Sequence, residues 1–150
     1  MQIQLANRTD PERVLVMVKN VDGSGSITTG MGACLAIQAG SYTQNDAVRA
    51  TAALGARFVG VAKQDIAIND FGLVTAHGLA VSVMLSQSVG SFTVTVGDQL
   101  RISAVAGQFT SVIIPEATST QYYKYVVCTA MNQATISNPL SYGSGIVFAL

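Results

Sequence analysis

The sequence predicts an all-β fold, an antiparallel β-sandwich or β-barrel with long loops and an N-terminal arm. Two observations carry that prediction. Short apolar or alternating runs recur about every 8 to 15 residues, separated by turns rich in Gly, Asn, Asp and Ser. No long segment of period 3.6 separates them, which argues against helices packed on a parallel sheet. At 150 residues a single domain is expected, divided into an arm over 1–13 and one β domain over 14–150. A chain of this length buries roughly 70% of its unfolded surface and needs no metal or disulfide staple.

The elements follow in order. Val14 to Val18 is a β-branched run that stops at Asn20, and reads as a strand. Asp22-Gly23-Ser24-Gly25-Ser26 is a turn. A strand follows at Ala33 to Ile37, then a loop over Gly40 to Asn45. Over Asp46 to Leu54 a helix competes, because Ala is the best helix former and Asn45 or Asp46 suits a cap. Nine residues are marginal as a helix, and Ala47, Arg49 and Thr51 alternate with Val48 and Ala50, so a strand is preferred.

The stretch Arg57 to Leu85 reads as three short strands. These are Phe58 to Ala62, Leu73 to Ala76, and Leu79 to Leu85, cut by a turn at Asn69-Asp70 with Gly72 and a bend at His77-Gly78. Further strands are expected at Ser91 to Val96, Gln99 to Ser103, Gln108 to Ile114, Tyr122 to Ala130 and Gly145 to Leu150, with residues 131–144 as a long loop. Val94 to Gly97 leading to Leu100–Ile102 echoes Ile27 to Gly30 leading to Leu35–Ile37, and two hairpins built alike account for this without a duplication.

Composition narrows the function. Eight Lys plus Arg balance eight Asp plus Glu, and only 11% of residues are charged against about 25% in an ordinary soluble domain. Without a basic excess, sequence-independent phosphate binding is not expected. Hydrophobic residues make up 49% of the chain. Little charge keeps copies apart, so a self-associating or otherwise covered surface is expected. No run of 18 apolar residues is present, so no membrane-spanning helix is predicted. MQIQLANRTDPER lacks the charged and apolar regions of a signal peptide, which implies synthesis in the cytosol.

Few residues offer chemistry. Cys34 and Cys128 lie in apolar stretches and read as buried free thiols, with a disulfide the alternative. His77 is the only histidine, where a zinc site needs three or four ligands. Asp65 and Asp70 are explained by turns. Asp22 to Ser26 lacks the ligand alternation of a calcium loop, and Ser86 and Ser88 have no nucleophile-elbow context. Tyr122, Tyr123 and Tyr125 lack the basic partners of a base-stacking platform. The expectation is a protein that is not an enzyme and needs no cofactor or metal.

Several short motifs follow one another in a recognisable order. They are Val14 to Asn20, and Val59-Gly60-Val61-Ala62 through Gly72, Val74, Gly78, Ala80, Val81 and Val83. Val96-Gly97-Asp98-Gln99-Leu100 to Ser103 follows, then Ala106-Gly107 and Thr110, and finally Gly143, Gly145 and Val147-Phe148 to Leu150. The order of these motifs resembles the capsid decoration, or cement, proteins of tailed-phage heads, although residues 1–13, 38–56 and 115–142 have no counterpart in that pattern. The resemblance implies a structural virion protein, made in the host cytoplasm, that binds the major capsid protein on the outer surface of the capsid and stabilises it by bridging capsomers. It implies a homo-oligomer, with a trimer favoured by lattice symmetry, and no nucleic-acid or membrane partner. The alternatives are another phage component, such as a minor head, tail-tube or fibre protein, or a small-molecule-binding β-barrel.

The expected contact segment is the arm. Gln2, Ile3, Gln4 and Leu5 alternate and suit strand addition to a neighbouring sheet. Arg8, Asp10, Glu12 and Arg13 form a mixed-sign cluster suited to specific pairing across an interface. A tail, or a first strand of the protein's own sheet, are the competing readings of the same residues.

Overall fold

The computed structural model describes residues 13–37, 45–86, 92–111, 126–131, 134–136 and 141–148. Their regular structure is β throughout, apart from one 3-10 turn at Ala52–Arg57. The strands are β1 (Val14–Asn20), β2 (Gly32–Leu35), β3 (Asp46–Arg49), β4 (Phe58–Ala62), β5 (Phe71–Leu85) and β6 (Phe92–Val94). They continue with β7 (Gln99–Ile102), β8 (Phe109–Ser111), β9 (Val126–Ala130), β10 (Ala134–Ile136) and β11 (Ser141–Phe148).

Five strands close into a barrel in the order β1-β3-β2-β4-β5, with β5 pairing back onto β1. The closing register is antiparallel, with Met17 opposite Leu73 and Val16 opposite Val74. The β1–β3 pairing is parallel at Lys19–Asp46 and Asn20–Ala47, an exception to the antiparallel rule. A five-stranded barrel has little room inside. Its interior holds Val18, Ala33, Ala47, Ala62 and Val74, together with Ile27 and Ile66. The two isoleucines are fully buried and exchange reciprocal backbone bonds, Ile27 N to Ile66 O at 3.0 Å and Ile66 N to Ile27 O at 2.8 Å.

The strands outside the ring build a second core. β11 pairs with β5, β9 with β11, β7 with β9 and β8 with β7; β8 then returns to β5 at Leu85–Phe109. Their side chains, with Phe58 and Val61 of β4 and Val83 and Leu85 of β5, form the larger apolar cluster. Phe58 and Phe109 meet edge to face with ring centroids 6.0 Å apart. β2 and β4 lie between the two cores: Ala33 and Val59 face the barrel, while Cys34 and Phe58 face the second cluster. Burial on both faces explains why FVGVA is a continuous apolar run rather than an alternation.

Three expectations are corrected. Leu73 to Ala76 and Leu79 to Leu85 belong to one 15-residue strand, β5. The bend between them survives only as a positive φ of 93° at Gly78, which a glycine adopts without breaking the strand. Residues 131–144 are not one loop. Ala134–Ile136 forms β10 against β6, and β11 begins at Ser141, its Gly143 and Gly145 marking a register shift rather than a loop. Over Asp46 to Leu54, Asp46–Arg49 is the preferred strand, but Ala52–Arg57 then turns as 3-10 helix. Tyr122, Tyr123 and Tyr125 lie outside the described residues.

Candidate functional site

β1 shows alternate residues to the barrel and to its outside. Val16 and Val18 pack inward, so Leu15, Met17 and Lys19 point outward. Across the antiparallel pairing their partners are Thr75, Leu73 and Phe71, which share that outer face. Met17 is 56% exposed, Phe71 53% and Leu15 39%. The result is an apolar face on two adjacent strands of a closed ring.

The turn before β5 fixes this register. Asn69 adopts φ 64°, and its N–H donates to Asn20 O at 2.7 Å, while Asn20 N–H donates to Asp70 O at 2.9 Å. Asp70 Oδ1 accepts from Phe71 N at 2.8 Å, as the turn reading of this carboxylate requires. The Asn20 side chain is fully buried and bonded at both ends. Its Nδ2 donates to Ile66 O at 3.0 Å and Gly25 O at 3.1 Å, and its Oδ1 accepts from Asp22 N at 2.9 Å.

Beside the apolar face a cleft of about 300 Å³ opens where β1 begins. Leu15, Leu79 and Val81 line it with Thr29 and Ser82, and Arg13 and Lys63 stand at it as cations. Thr29 is held by Asp65, whose Oδ1 accepts from Thr29 N at 2.6 Å and Thr29 Oγ1 at 2.8 Å. Those two bonds, the backbone one foremost, draw the exposed Asp65 carboxyl below the usual carboxylate range.

The remaining candidates from the sequence are placed as follows. Of the arm residues only Arg13 is described, and it is exposed at the cleft. Gln2, Ile3, Gln4, Leu5, Arg8, Asp10 and Glu12 lie outside the described residues. Cys34 and Cys128 are free and buried, and burial pushes both thiols up to about 12. His77 is exposed. Ser86 is buried with its Oγ 3.5 Å from Ser103 Oγ, and Ser88 is outside the described residues. Among the described residues no three His, Cys, Asp or Glu side chains group as metal ligands, and no helix is long and apolar enough to cross a membrane.

Neither the outer face nor the cleft follows from the sequence reading. In VLVMV both positions of the alternation are apolar, so nothing marks Leu15 and Met17 as outward. The cleft joins residues from four separate segments. No family model matches the chain, and no curated protein matches it.

Proposed function

We propose that this protein is a structural virion component that binds the outer surface of a phage capsid and stabilises it by bridging capsomers. The motif order that resembles decoration proteins is one support. The observation that carries the reading is the apolar face of Leu15, Met17, Phe71 and Leu73 on a closed barrel. A contiguous exposed apolar patch marks a protein-interaction surface, and the antiparallel β1–β5 pairing of the ring holds these four side chains on one face. Stable interfaces bury about 800 Å² per partner. A face of four side chains is too small alone, so the reading adds the arm 1–13 as a second contact and a trimer as the docking unit. It assigns the protein no catalysis.

The test is co-sedimentation with empty heads assembled from the major capsid protein of the phage that this reading implies. Wild type should pellet with heads, and the double variant Met17→Asp/Phe71→Asp should lose at least ten-fold in affinity while its melting temperature stays within a few degrees. Wild type that remains in the supernatant, or a double variant that binds as tightly as wild type, overturns the reading.

A further inference from the structure

β5 has partners on both edges. On one edge β4 meets Val74 and Thr75, and β11 takes over from His77 to Leu85. On the other edge β1 runs as far as Val14 opposite His77, and pairing resumes where Met84 N donates to Gly30 O and Leu85 meets Phe109. His77 faces both Val14 and Phe148, which puts β1 and β11 on opposite edges. Between those two points, from Gly78 to Ser82, no strand among the described residues lies on the β1 edge of β5.

The cleft lies along this open length. Val81 projects from it with 71% of its surface exposed, the most of any large apolar side chain among the described residues. Arg13 and Lys63 bring two positive charges, and no ion pair joins either to a described carboxylate. Asp65, the acid that holds Thr29 there, is already engaged by two hydrogen bonds. A strand edge unpaired among the described residues, an apolar wall and two cations form a complementary set. They fit an extended backbone that offers main-chain hydrogen bonds, an apolar side chain and a carboxylate.

We propose that this cleft seats an extended, acidic and apolar segment of the capsid protein, added as a short strand beside Gly78 to Ser82. Its apolar side chain packs on Val81 and Leu15, and its carboxylate meets Lys63 and Arg13. The proposal rests on the capsid reading above and names the contact by which the capsid is held.

The test places a photo-crosslinking amino acid at Val81 in the full chain, mixes the protein with empty heads, and maps the cross-linked peptide by mass spectrometry. Head binding of Lys63→Glu and Val81→Glu is measured alongside at low and high salt. The expected result is a cross-link to a capsid segment containing Asp or Glu. Each variant should bind at least ten-fold more weakly, and the Lys63→Glu deficit should shrink as salt rises. Val81→Glu should melt as wild type does, because the side chain is largely exposed. A cross-link to a second copy, or to residues 1–12 of the same chain, overturns the proposal, as does undiminished binding by both variants. Those outcomes leave the capsid reading standing. Heads that fail to take up the wild type overturn that reading and this proposal together.

Discussion

Asp22 and Arg49 form an ion pair, with Arg49 Nε donating to Asp22 Oδ2 at 2.8 Å, and it ties the turn after β1 to the end of β3. Arg49 N also donates to Asp22 Oδ2 at 3.2 Å, and Asp22 Oδ1 accepts from Ser24 N at 2.9 Å. The carboxylate thus secures the parallel β1–β3 junction at which the barrel closes. The Arg49 hydrogen bond is the main cause that lowers the Asp22 carboxyl to about 2 from its ordinary 3.8.

Replacing Arg49 by Met should cost about 1–2 kcal/mol at neutral pH, the scale of a charge-assisted bond with partial solvent access. Because the folded-state value is depressed, the stabilisation is complete above about pH 4 and is lost as pH falls towards 2. Melting curves of wild type and Arg49→Met should therefore converge across that window. A gap that stays constant from pH 7 to pH 2 would show that the ion pair is not its source.

Gly60 sits with φ 154° where β4 crosses β5, and a Cβ there would press on the Thr75 carbonyl oxygen. Gly60→Ala should destabilise by about 2–4 kcal/mol through steric overlap and backbone strain. Gly23→Ala is the control, since a Cβ there meets nothing within 4 Å, and its effect should stay within about 0.5 kcal/mol. Urea denaturation of both variants checks the contrast.

The two thiols should react with a maleimide or disulfide reagent only when the protein opens. Both are buried, and desolvation holds each near 12 against an ordinary 9. Protection should match global unfolding rather than thiol chemistry. The same shift makes the pair a source of alkaline sensitivity. The stabilisation is intact below about pH 9 and is lost as pH climbs towards 12, so Cys34→Ala/Cys128→Ala should flatten the alkaline limb of the stability profile.

Deleting residues 1–12 should leave the described fold intact, since the first core side chains of β1 are Val16 and Val18. Under the proposed function it should weaken head binding or trimer assembly. Analytical ultracentrifugation and head co-sedimentation of the truncated chain decide this, and unchanged behaviour in both would remove the arm as an anchor.

The all-β class, the turn at Asn69-Asp70 and most strand positions were legible because Gly, Asn and Asp punctuate short β-branched runs. Strand continuity was not. His77-Gly78 reads locally as a break, and only the partners Val14 and Phe148 on either edge of His77 show one strand passing through. Gly143 misled in the same way, because the composition of a loop and of an irregular strand is alike. Asp22 was recognised as a turn former, but its partner Arg49 lies 27 residues away and no local pattern announces it. The outward face of β1 was hidden for a different reason. Apolar residues on both sides of a strand mean either a second core or an interaction surface, and sequence periodicity does not separate the two.

β5 contributes Val74 to the barrel interior and Val83 and Leu85 to the other core. Neither half of the molecule can lose that strand and keep its own packing, so opening should be all-or-none rather than stepwise. In native-state hydrogen exchange the central amides of β5 should be the slowest in the protein, and they should exchange at the rate of global unfolding. A chain nicked between Val74 and Val83 should yield two fragments that fold only when mixed.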